Sequence, residues 1–388
     1  TKEEVFKALL IFLASSGILS LLFLIQYFKS IFPWDFAEVS GFNPIGSAQA
    51  LAVFLGGAFV IFIALISGNQ LKIWSRTVLD KLGKRVSIYL IGFLGLLLFV
   101  TLFLINFWVV WLGIVFAMTV IILGILNFSD FNFIKTWRGC LPLIILTMAL
   151  IFIFIRFPEG KTLNLLPEIS PSYKLTLEIA AKTLKEGPKN FILGSGPNTF
   201  AFKYSLYRSP AINLTDFWSL RFSQGAAVIP TFLATSGLAG ILAILFMVII
   251  FCWQGFKYLI VFSPRLASEM SPEEDYLKTQ LIVFATGFYF LILWFFYPAN
   301  FSLFFAGFLI MGLWVSITGQ KDKKEFSFTK PPWKAFFIML VFTVLIAASI
   351  TSLYNLAQKY IGAQNLAEGL RLWNQEGKLD EAIMKVQK

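Results

Sequence analysis

Lys203, Arg208 and Arg221 are three cations in a stretch that also carries most of the turn-forming and aromatic signals of its region. They follow the turn Gly194-Ser195-Gly196-Pro197, and Tyr204, Tyr207, Phe217 and Trp218 stand between them. Cations interleaved with aromatics suit an anion joined to a ring system. The charges pair with phosphate oxygens, and sugar rings lie on the aromatic faces. Gly194 and Gly196 permit backbone angles closed to other residues. Pro197 is preset for the first turn of a helix, and amides at such a turn can hold an anion. The plainer alternatives are a tight turn with no ligand and basic side chains that are solvated or paired.

Around this stretch the chain is apolar. Of its 388 residues, 58% are hydrophobic and 14% charged, a balance that suits a polytopic membrane protein and not a soluble domain. The net charge of +11 then points to loop orientation and to anionic lipid or phosphate, with no nucleic acid partner. The chain has no histidine, which excludes histidine metal sites and histidine general bases; no metal and no cofactor is expected. Cys140 and Cys252 lie in apolar runs and read as buried thiols.

A helix needs roughly 20 apolar residues to cross the hydrocarbon core. The expected fold is all-α, with nine spans at 7–28, 47–68, 86–105, 108–128, 140–156, 226–256, 279–296, 301–318 and 335–354. One long uncharged run is divided near Asn106 and another at Pro298. Loop 69–85 carries Lys72, Arg76, Lys81, Lys84 and Arg85. Loop 319–334 carries Lys321, Lys323, Lys324, Lys330 and Lys334. Loops 129–139 and 257–278 are basic too, and basic loops stay in the cytoplasm. The N-terminus is therefore expected inside, with 157–225 and 355–388 outside. No charged residue falls in the middle of a span, which counts against an ion-driven transporter.

The outer segment 157–225 is too long for a passive connector. Its stretch 172–188 predicts an amphipathic helix, capped by Ser172 and stopped by Gly187 and Pro188. Tyr173, Leu177, Ala180, Ala181 and Leu184 would form its apolar face. Beyond it, Pro230 and Ser236-Gly237 predict a broken or re-entrant helix, or an ordinary kink.

"KNFILGSGPNTFAFKYSLYR", then "NLTDFWSLRF", then "FLATSGLAGILAILF" resembles the core of the O-antigen ligase and O-antigen polymerase family, most clearly over 172–250. The C-terminal "AEGLRLWNQEGKLDEAI" resembles the start of a tetratricopeptide repeat, so 1–354 reads as a transmembrane domain and 355–388 as a repeat that continues in a longer chain. Absence of an initiating Met is taken in the same sense. The family resemblance implies a bacterial inner-membrane glycosyltransferase of cell-envelope polysaccharide or lipopolysaccharide biosynthesis. It would take a glycan from an undecaprenyl-diphosphate carrier to a glycan or lipid hydroxyl, on the outer face, without metal or nucleotide sugar. External arginines would hold the diphosphate leaving group. That role passes to Arg221 first, then Arg208, then Lys203, with Gly194, Ser195, Gly196, Tyr207 and Trp218 around the substrate.

One part of the family pattern is missing. The family's His-Asn pair would fall eleven residues before Gly237, where this chain has Ala226 and Ala227. Asp216 could substitute as the catalytic carboxylate; the reaction could run without a side-chain base; or the protein could be a non-catalytic lipid-binding scaffold whose repeats recruit a partner protein.

Overall fold

The structure is a computed structural model. It describes residues 2–28, 43–68, 84–128, 136–155, 168–214, 218–261, 271–319, 332–373, 380 and 383–384. Among these the chain is all-α, a polytopic helical membrane protein with no strand. The helices are α1 (Lys2–Tyr27), α2 (Ala48–Ser67), α3 (Lys84–Ile105), α4 (Trp108–Phe128), α5 (Trp137–Phe154), α6 (Tyr173–Leu184), α7 (Pro188–Leu193), α8 (Phe200–Tyr207), α9 (Val228–Val261), α10 (Ser271–Leu293), α11 (Phe301–Thr318) and α12 (Pro332–Trp373).

Seven of these helices are long and apolar enough to cross a membrane: α1, α2, α4, α5, α9, α11 and α12. Nine were expected. In the other two the apolar stretches, Tyr89–Ile105 and Thr279–Leu293, are shorter. Their helices begin in charged sequence, "KR" in α3 and "SPEEDYLK" in α10. Both still pack inside the bundle: α3 lies against α1 and α2, and α10 against α2, α4 and α11.

Helix α2 is the axis of the bundle. Its whole apolar length is buried, and α1, α3, α4, α5, α10 and α11 pack around it. Small residues make this possible. Gly56 and Gly57 of α2 leave room for Tyr289 and Phe290 of α10, and Gly113 of α4 takes the other side of the Tyr289 ring. The Tyr289 hydroxyl donates to the Val53 carbonyl at 2.9 Å, so the buried phenol is satisfied. Apolar side chains also cover the outside of the bundle, among them Ile11, Leu123, Phe246 and Phe305. Exposed aliphatic and aromatic groups on so many faces match a lipid solvent. Cys140 and Cys252 are half-buried.

Helix α12 is the outlier. None of its apolar length is buried. At 42 residues it is about 63 Å long, roughly twice the hydrocarbon thickness. The expected boundary at 354/355 falls inside it, and the helix continues unbroken to Trp373.

The connections expected on one side of the membrane meet at one end of the bundle. Asn106 takes a positive φ of 41° between α3 and α4, accepts from the Trp111 indole, and donates to Ile155 O at the end of α5. Asn300 caps α11 through Leu303 N and donates to Ile45 O before α2. Ser47 caps α2 through Ala50 N at 3.0 Å. Residues 168–214 and 218–227 reach this end, where Glu168 accepts from Ser47 and Gln224 donates to Ala299 O.

Candidate functional site

The outer segment has its own small core, built on the first part of α9. Ile179 and Ala180 of α6, Phe200 and Tyr204 of α8, and Ala234 of α9 are buried together. Ser172 caps α6 as expected, through Leu175 N at 3.2 Å. The buried face of α6 differs from the expected one: it is Thr176, Ile179, Ala180 and Thr183, while Tyr173, Leu177 and Ala181 are exposed. Two threonines bury here because their hydroxyls donate to carbonyls one turn back, Thr176 to Ser172 O and Thr183 to Ile179 O. Tyr204, expected among sugar-stacking aromatics, is also a core residue, edge-on to Phe222 at 5.1 Å.

The glycine turn has the predicted shape and a different use. Gly194 and Gly196 take φ of +67° and +106°. Helix α9 breaks at Gly237, whose φ is +62°, as the Ser236-Gly237 pair suggested; Pro230 makes no break. The turn plugs into that break. Ser195 N donates to Ala234 O at 3.1 Å and Gly196 N to Thr235 O at 2.8 Å, while Gly194 N donates to Asn190 O at 2.9 Å. The Ser195 hydroxyl also reaches Ala234 O, at 3.1 Å. All three amides of the turn are therefore committed to carbonyls, and the expected anion nest is not available at Gly194, Ser195 and Gly196. Pro197 does not start a helix either; α8 begins at Phe200.

Two of the expected substrate contacts are likewise internal. Lys203 is 8% exposed and forms an ion pair with Glu186 at 2.5 Å. Tyr207 donates its hydroxyl to the same carboxylate, and Asn190 Nδ2 donates to it at 2.6 Å. Hydrogen bonds from Lys203 and then Tyr207 hold the Glu186 carboxyl below its usual range. The bond to Glu186, with burial, pushes the Tyr207 phenol up. Glu186 thus neutralises Lys203, a partner that the sequence reading did not name. Arg208 is half-buried and donates Nη1 to Trp218 O at 2.7 Å, which brings those two residues together through the backbone. Trp218 is 60% exposed. Arg221 is exposed, with no ion-pair partner among the described residues. Asp216 lies outside the described residues.

A cavity of about 470 Å³ lies where the outer segment meets the bundle end. Phe107 and Trp108 before and in α4, Phe296 and Tyr297 after α10, and Tyr173 of α6 give it an aromatic wall. Ala226, where the resemblance would place a histidine, lines it as well. So does Glu168, a carboxylate that sequence reading passed over as part of a proline-rich connector. Glu168 Oε2 accepts from Ser47 Oγ at 2.5 Å and from the Tyr297 hydroxyl at 2.8 Å; Oε1 is 3.0 Å from the same hydroxyl. Burial, and then the Glu168 charge, push the Tyr297 phenol far above its ordinary pKa, so it stays a donor. No periodicity could have found this group; the only local signal is a carboxylate between two prolines, Pro167 and Pro171.

The segment carrying Arg221 is tied to the same place. Gln224 donates to Ala299 O at 3.3 Å, Ala226 N to Thr176 Oγ1 at 3.0 Å, and Val228 N to Tyr297 O at 3.2 Å. Arg221 lies five positions before Ala226, a reach of at most about 18 Å. Among the described residues no cluster of three or more His, Cys, Asp or Glu forms a metal site. Comparison of the chain with protein-family models, with curated proteins and with solved structures finds no match.

Proposed function

We propose that the protein is a membrane glycosyltransferase that moves a glycan from an undecaprenyl-diphosphate carrier to a hydroxyl of a glycan or lipid acceptor. It works at the extracytoplasmic end of the bundle in the bacterial inner membrane. The proposal rests on the cavity: an aromatic-walled hollow with few polar groups, at the end where the outer segment and the non-basic connections meet. Aromatic faces suit sugar rings, and the exposed Arg221, five positions before the cavity-lining Ala226, suits the diphosphate. Arg221 pairs with phosphate oxygens as a planar fork and stabilises the charge that develops as the lipid diphosphate departs. Lys203 and the glycine turn drop out of the substrate-holding set, because Glu186 and the α9 break already occupy them. Arg208 keeps a supporting place, holding the Trp218 segment.

The test is a transfer assay with the whole chain in lipid nanodiscs, a labelled glycan on undecaprenyl diphosphate, and a mixed set of glycan and lipid acceptors. Labelled acceptor together with released lipid diphosphate supports the proposal. Saturable donor binding with no transfer to any acceptor supports the scaffold alternative instead.

A further inference from the structure

We infer that Glu168 is the catalytic base of this reaction, taking the proton of the acceptor hydroxyl, with Ser47 and Tyr297 as its positioning residues. The inference rests on the transfer reaction proposed above and gives the cavity its chemistry.

The cavity lining narrows the choice. The chain has no histidine, and Glu168 is the one carboxylate among the cavity-lining residues. The two tyrosines there are poorer bases. Tyr297 is held protonated by its surroundings and points its hydrogen at Glu168. Tyr173 is exposed. An ionised carboxylate has about four lone-pair sites. Ser47 and Tyr297 together supply two protons, which leaves acceptor capacity on Glu168 for an incoming hydroxyl.

The support behind Glu168 is directional. Ala50 N–H donates to Ser47 Oγ, and Ser47 Oγ donates to Glu168. Each bond points its hydrogen toward the carboxylate. Ser47 is also the N-cap of the 20-residue α2, so the positive end of that helix faces the same charge. Two fixed donors on two different elements hold the carboxylate in one orientation, as a proton acceptor must be held.

In the reaction the acceptor oxygen bonds to the anomeric carbon. The bond from that carbon to the diphosphate oxygen breaks, and its electron pair leaves with the lipid diphosphate. The acceptor proton passes to a Glu168 carboxylate oxygen as the new bond forms, and later to water. An alcohol becomes strongly acidic only as its oxygen gains that bond, so a carboxylate is basic enough at that moment.

The experiment uses the whole chain in nanodiscs with the labelled donor and a working acceptor. Glu168→Gln keeps shape and hydrogen-bond acceptance and removes basicity. It is expected to bind donor as the unaltered protein does and to lose about 100-fold or more in transfer rate. Sodium azide, a nucleophile with no proton to remove, should restore donor consumption by Glu168→Gln and give a glycosyl azide. Tyr297→Phe should lower kcat and leave KM for donor unchanged. Glu168→Asp should retain intermediate transfer, and it carries the comparison if Glu168→Gln does not elute as a folded protein. Transfer by Glu168→Gln within about three-fold of the unaltered protein overturns the inference and leaves the proposed function standing. So does joint loss of donor binding and transfer without azide rescue, which would make Glu168 structural. An unaltered protein that transfers nothing sinks both.

Discussion

Gly194 and Gly237 meet backbone to backbone, each at positive φ, across 43 residues of chain. An added Cβ on Gly237 would overlap the Gly194 amide, and one on Gly194 would overlap the backbone of 235–237. The contact joins α7 and its turn to the broken helix α9, beside the core that α6 and α8 share with Ala234.

Gly194→Ala and Gly237→Ala are therefore both expected to destabilise the fold. The backbone conformation alone costs about 1 kcal/mol, and the overlap with backbone atoms adds to it. Thermal unfolding in detergent checks this. Because the turn amides face carbonyls, any loss of donor binding should follow the loss of folded protein. An alanine variant that melts like the unaltered chain would contradict the packing role.

Lys203 and Glu186 should behave as a coupled pair. A double-mutant cycle with Lys203→Ala and Glu186→Ala should give a coupling of about 0.5–3 kcal/mol in stability. The pH sign follows from the depressed Glu186 carboxyl. Its contribution is complete above the unfolded carboxyl value near pH 4.3 and is lost as pH falls through the lower folded value. Glu186→Gln should flatten the acid side of the melting-temperature profile. An unchanged profile would show that the pair adds nothing.

Arg221→Ala should abolish transfer while the protein still folds and inserts. Arg221→Lys should recover only part of it, because an ammonium is a point charge and not a fork. Arg208→Ala should cause a smaller loss, by releasing Trp218. Activity restored in the double variant Arg221→Ala, Asp216→Ala would mean that Arg221 only neutralises that carboxylate, and its proposed role would fall.

The topology is open to a direct test. Single cysteines at Lys189 and Lys378, in a background without Cys140 and Cys252, should react with a membrane-impermeant maleimide on intact cells. A cysteine at Lys81 should stay unlabelled. The reverse pattern would put the cavity on the cytoplasmic side and remove the lipid-linked donor from reach.

Hydropathy, loop charge and turn chemistry are local properties, and what depends on them was legible in the sequence: the all-α class, the breaks at Asn106 and Gly237, and the positive φ of Gly194 and Gly196. The use of those features was not legible, because a hydrogen-bond partner is chosen by packing. A glycine turn looks the same whether its amides face an anion or the carbonyls of Ala234 and Thr235. Lys203 looks free until α6 and α8 pack and bring Glu186 beside it. Thr176 and Thr183 count as polar in a periodicity, yet their hydroxyls are satisfied within the helix, and they bury. Glu168 depends most on tertiary structure. Its partners Ser47 and Tyr297 lie 121 and 129 residues away, on the cap of α2 and the turn after α10. Only the closing of the bundle end makes three unremarkable polar residues into one braced carboxylate.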